Sequence, residues 1–101
     1  MDKILIGLHE FDGPITTAAT LPEQPGLLAI MIETKKGLEL MDVLAATNIS
    51  LLWDSICVHY LAYSKDGEIK LAHSSMPGLS SSERRRALQE INDEFDLAAC
   101  A

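Results

Sequence analysis

The chain opens on a short apolar run, Lys3 to Leu8, that reads as a first strand or an extended arm. Phe11-Asp12-Gly13-Pro14 reads as a turn, because Asp-Gly and Gly-Pro both interrupt regular structure. Thr16 to Gln24 is small and polar, and Pro22 and Pro25 keep it irregular. The clearest block is Leu27 to Thr34, whose continuous apolar centre predicts a strand buried on both faces. Lys35-Lys36-Gly37 makes a tight polar turn and Leu38 to Leu44 supplies a partner, so a β-hairpin is expected.

From Ile49 the period changes. Leu52, Ile56 and Tyr60 recur every four residues, with Ile49, Trp53 and Cys57 beside them. This predicts a helix over 49–63 with a wide apolar face, capped by Thr47 or Asn48 and closed by Lys65-Asp66-Gly67. Its second half has another reading, since Val58-His59-Tyr60-Leu61 also suits a strand. Glu68 to His73 alternates polar and apolar like a half-exposed strand, which Pro77-Gly78 breaks. Ser80 and Glu83 fit a capping box. The helix after them gathers Ala87, Leu88, Ile91 and Phe95 on one side, with Arg84 and Glu94 on the wetter side. The order of strand, hairpin, helix, strand and helix makes an α+β domain, a small, mostly antiparallel sheet packed with two main helices.

Composition sets limits on this picture. The 101 residues fit a single domain spanning 1–101, and 48% apolar content is enough to bury a core. Fifteen acidic against 8 basic side chains give a net charge of −7. Nucleic-acid binding draws on Lys and Arg, so this charge disfavours it without excluding it, and the same sign argues against anionic membranes. No apolar run approaches the roughly 20 residues of a membrane span, and no signal peptide is evident at Met1 to Ile6. A cytoplasmic protein is expected, with Cys57 and Cys100 as reduced thiols too far apart for a CxxC motif.

The residues with chemistry are few. Asp42 lies inside an apolar strand, where an unpaired carboxylate is costly. It is either a site residue facing a pocket or a group paired with Lys or a backbone donor at the sheet rim. Arg84-Arg85-Arg86 is the one basic cluster, readable as a phosphate contact or as a solvated helical turn partnered by Glu83 and Glu90. Consecutive helical residues spread over about 200°, so the three do not form one patch. Trp53, Tyr60 and Tyr63 are core residues or an exposed aromatic patch for a partner. His9, His59 and His73 show no metal-ligand spacing and read as surface or satisfied core histidines. Cys57 and His59, two apart on a helix, point different ways and do not make a nucleophile pair. Ser80-Ser81-Ser82 is explained by capping. No metal site and no cofactor are expected.

Taken in order, four stretches resemble the short stand-alone members of the GIY-YIG nuclease-like superfamily. Phe11-Asp12-Gly13-Pro14 is similar to their F-x-G-P opening. Leu21-Pro22-Glu23-Gln24-Pro25-Gly26-Leu27-Leu28-Ala29-Ile30 is similar to their L-P-x-x-P-G-I-Y-x-I strand. Leu40 to Ile49 resembles the YIG strand running into E-S-x-N-V. Ile69 to His73, Pro77-Gly78, Arg84 to Arg86 and Glu90-Ile91 resemble the closing strand and helix. The likeness covers nearly the whole chain, and its departures matter more than its matches. Active members use two tyrosines and a glycine to position water and phosphate, a helical arginine, and a glutamate that binds a divalent cation. Here Leu28 stands at the first tyrosine position and Asp42-Val43-Leu44 replaces the second motif. No arginine or lysine lies between Lys36 and Lys65, and Leu88 falls at the glutamate position, with Glu90 two residues away. A phosphodiester transition state needs positive charge at the reacting phosphate. The resemblance therefore implies a nuclease-like fold without the nuclease reaction, and no enzyme activity is expected.

Three functions compete on these terms. The first is a non-catalytic module that binds a protein partner or forms a homodimer. The second is a residual nucleic-acid binder using Arg84, Arg85 and Arg86, with Lys35-Lys36. The third is an enzyme with a repurposed site, which requires Asp42, His73 and Glu90 to converge.

Overall fold

The computed structural model describes residues 3–6, 9–16, 18–75, 78 and 80–95. Its centre is the expected hairpin. β3 (Gly26–Thr34) and β4 (Gly37–Ala46) pair antiparallel, with Thr34 opposite Gly37 across the two-residue loop Lys35-Lys36. Gly37 takes φ +120°, a region that L side chains rarely adopt, and the Lys36 N–H donates to Thr34 Oγ1 at 3.2 Å. To this pair the chain adds β1 (Lys3–Ile6), β2 (His9–Ile15) and β5 (Glu68–Ser75), giving an antiparallel sheet of order β1-β2-β5-β3-β4. Two helices complete the fold, α1 (Ile49–Leu61) and α2 (Ser81–Phe95), together with a short 3₁₀ turn, Ala18–Thr20. The α+β class and the predicted mix of antiparallel sheet with two helices are what the structure contains.

Side-chain parity in β3 shows how the layers are arranged. Leu27, Ala29 and Met31 join Ala87 and Ile91 of α2 in one core, while Leu28 and Ile30 join Ile49 and Trp53 of α1 in another. The helices therefore lie on opposite faces of the sheet, and β3 is buried between them. That is the physical reason for its unbroken apolar run. β5 shares this position. Leu71 packs on the α1 side and Ala72 on the α2 side, and residues 71 to 73 are all buried. The expectation of a half-exposed strand is corrected accordingly.

Three further expectations change. Phe11-Asp12-Gly13-Pro14 is not a turn but part of β2, where the register against β5 slips by one residue between Asp12 and Ile15. Glycine and proline in strands concentrate at such bulges. Gly13 has φ +142°, and a Cβ there would stand 2.8 Å from the Leu71 carbonyl oxygen, so its type follows from the close approach of β5. The open reading of 58–61 resolves as helix, since α1 runs unbroken from the Asn48 cap to Leu61. Arg84 is buried rather than wet, at 8% exposure, because it lies three residues before Ala87 and seven before Ile91 on the inward stripe of α2. The side chains of Glu94 and Phe95, the break at Pro77 and the state of Cys100 lie outside the described residues.

Candidate functional site

β4 is an edge strand, and its register against β3 slips at Met41, between the pairs Ile30–Asp42 and Met31–Leu40. Asp42 follows this bulge, on the α1 face with Leu44. Its Oδ1 accepts the Val43 N–H at 2.9 Å, and its Oδ2 accepts the Tyr60 hydroxyl at 2.9 Å. Of the two readings left by the sequence, pairing at the sheet rim is the one seen, with a backbone donor and a phenol rather than lysine. Burial first, then the hydrogen bond and charge of Asp42, push the Tyr60 phenol up to about 12. Tyr60 also sits beside Trp53, with ring centroids 6.2 Å apart, and meets His59 edge-on at 5.2 Å. Trp53 is buried and Tyr60 half-buried, while Tyr63 is 45% exposed. The aromatic residues of α1 and of the turn that follows it are thus divided between core and surface.

The arginine cluster is divided as well. A capping box starts α2: the Ser80 N–H and hydroxyl donate to Glu83 Oε1 at 3.2 and 3.1 Å, and the Glu83 N–H donates to Ser80 Oγ at 3.2 Å. Glu83 is therefore held by the cap. Arg84 turns inward, and its Nη2 donates to Ser81 Oγ at 3.3 Å. Arg84 and Arg85 line a cavity of about 150 Å³ with Ala45, Ala46, Thr47 and Ser81, where the end of β4 meets the start of α2. Arg86 is exposed and takes no part in it.

His73 departs from the expectation of a surface or satisfied histidine. It is 6% exposed, opposite Asp12 of β2 and Leu28 of β3, and neither ring nitrogen has a hydrogen-bond partner among the described residues. Burial lowers its pKa from the usual 6.5, against a smaller opposing pull from Asp12. The signal was present in the sequence, since Ile69, Leu71 and His73 share one strand parity and the first two are apolar.

Asp42, His73 and Glu90 do not come together. Asp42 and His73 are on the α1 face, whereas Glu90 belongs to α2 on the other face, its Oε2 3.2 Å from His9 Nε2. Cys57 is a free thiol that donates weakly to the Asp54 carbonyl at 3.8 Å. Among the described residues, no group of three or more His, Cys, Asp or Glu side chains is placed to hold a metal ion. No helix among them is long and apolar enough to cross a membrane. No family model, curated protein or solved structure matches the chain.

Proposed function

We propose that the chain is a non-catalytic module on a GIY-YIG nuclease-like scaffold that pairs with a second copy of itself through the outer face of α1. The observation that carries this reading is that α1 bears apolar residues on its outer side, around the exposed Asp54, as well as on its inner one. Ile49 and Trp53 are buried against the sheet, while Leu51, Val58 and Leu61, facing away from it, are 57%, 80% and 50% exposed. An amphipathic surface helix has one apolar stripe, and a helix apolar all round ordinarily has neighbours on more than one side. Charge favours a like copy as that neighbour. The chain carries −7 overall, yet Asp54 is the one acidic residue between Ile49 and Leu61. Two acidic molecules meet with least repulsion where carboxylates are fewest, and apolar surface there supplies the attraction.

The non-catalytic half of the reading rests on the positions that correspond to the resembled nucleases' tyrosine motifs. Leu28 is fully buried beneath α1, Val43 is buried in the α2 core, and Asp42 is engaged by Tyr60 and the Val43 N–H. These residues plug and tie the structure where those enzymes bind phosphate and water. Light scattering on the full chain tests self-association directly. A dimer is expected, and Val58→Glu is expected to give a folded monomer. A wild-type monomer at every concentration, or a dimer indifferent to Val58→Glu, would sink the proposal.

A further inference from the structure

The exposed residues of α1 are ordered as well as apolar. Leu51, Ser55, Val58 and, at the helix C-cap, Ala62 recur at alternating four- and three-residue steps and form one stripe along the outer side. That is the spacing of the contact seam in a two-stranded coiled coil. Behind it, Ile49, Trp53, Ile56 and Tyr60 pack on the sheet. Two exposed ionisable side chains flank the seam, Asp54 on one side and His59 on the other. Their separation along the chain is the one at which flanking side chains of two parallel, in-register helices meet across the seam. In an antiparallel pair each flank meets itself, so aspartate would face aspartate and histidine would face histidine.

Charge therefore selects the orientation. We infer that α1 pairs with α1 of a second copy as a parallel, in-register seam, in which Asp54 of each chain meets the partner's His59 when that imidazole is protonated. This rests on the self-association proposed above, and adds to it the orientation of the two copies and a control by pH. Histidine is the side chain whose charge ordinarily changes between about pH 5 and 8, so the pair forms on the acid side of that range and is absent on the alkaline side. There the seam is held by its apolar residues alone. Other charges on the elements packed against α1 are engaged elsewhere. Asp42 of β4 takes the Tyr60 hydroxyl, Glu39 stands beside Lys35 and Lys36, and Lys70 of β5 lies 4.0 Å from Glu33 and 3.7 Å from Glu68. His73 is buried, and Tyr60, which meets His59 edge-on, keeps its proton because burial pushes the phenol up to about 12. One exposed ion pair contributes little, but two-fold symmetry makes two of them.

Sedimentation equilibrium of the full chain at about pH 8 and about pH 6, in about 0.15 M salt throughout, tests the seam. The wild-type dimer is expected to tighten about threefold to tenfold on the acid side. His59→Gln, which leaves His9 and His73 to titrate, is expected to lose that gain. Asp54→Lys lowers the net negative charge, yet it should weaken the dimer on the acid side by setting a cation against the protonated imidazole. Adding His59→Glu exchanges the two signs, and the double variant should pair more tightly than Asp54→Lys alone under both conditions. An equal gain in His59→Gln, or no recovery in the double variant, would overturn the parallel seam. Val58→Glu separates that failure from failure of the α1 face. If it still gives a monomer, the face stands and only the orientation falls, whereas a dimer indifferent to it removes both.

Discussion

At the residue scale, Asp42 and Tyr60 show how an edge strand is held without a further strand beside it. One carboxylate takes a backbone N–H next to the bulge and a phenol from α1, joining the rim of the sheet to the helix above it. A hydrogen bond to a charged acceptor at a half-buried site contributes about 1–2 kcal/mol, so Tyr60→Phe should lower stability by that amount in urea unfolding. The phenol's folded pKa is raised, so its contribution is complete below pH 10 and is lost as pH rises from there through about 12. Asp42→Asn should bring the Tyr60 absorbance titration only part of the way back, because burial is the larger cause. His73 has the opposite sign. Its folded pKa is lowered, so its neutral form supports the fold at neutral pH, and that support fades as pH falls below 6.5 toward the folded value. Both nitrogens lack partners among the described residues, and His73→Leu should therefore raise stability by about 1–3 kcal/mol and reduce the acid sensitivity. A loss of stability instead would mean that the nitrogens are hydrogen-bonded in solution.

The local devices that start and stop elements were largely legible in the sequence. Asn48 accepts the Leu51 N–H at 3.0 Å, and Asn48→Ala should cost about 1 kcal/mol by thermal unfolding. The Ser80–Glu83 box and the Lys35-Lys36-Gly37 turn also stand where their residue types place them, because each depends on neighbours within a few positions. What the sequence concealed depends on contacts made from afar. Gly13-Pro14 has turn chemistry, but it serves a bulge set by the approach of β5, more than fifty residues later. Arg84 has the periodicity of the inward stripe and the residue type of a surface, and only its burial in the folded chain shows which of the two prevails. Spacing drew attention to Asp42 but could not name Tyr60, since that bond joins an edge strand to a helix packed across the face. Gly26 is a further case. A Cβ on it would overlap the Ser74 carbonyl and press on Ile49, so Gly26→Ala should destabilise by about 2–3 kcal/mol through forced separation of β3 and β5.

For the whole molecule, the question is which surface is left for a neighbour. The sheet curls until its two edge strands share one apolar cavity, with Ile4, Leu5 and Ile6 of β1 on one side and Leu38 and Leu40 of β4 on the other. β4 is long enough to recruit another strand, but it bends at the Met41 bulge, carries Glu39, and has the Val43 N–H occupied by Asp42. Bulges and edge charges are common obstacles to edge-to-edge pairing. This shifts the argument to the outer face of α1, where Leu51, Val58 and Leu61 are exposed. If that face pairs two copies, each brings a net charge of −7 and the attraction is apolar, so the long-range term is purely repulsive. Salt at about 0.15 M shortens the screening length to about 8 Å and removes much of that repulsion, while leaving the burial of leucine and valine intact. The dimer should therefore tighten as salt rises from low to physiological strength, read as a falling dissociation constant in sedimentation equilibrium. An interface built from ion pairs would loosen over the same range. Weakening with salt would therefore count against the α1 face and move the contact to a charged surface elsewhere on the domain.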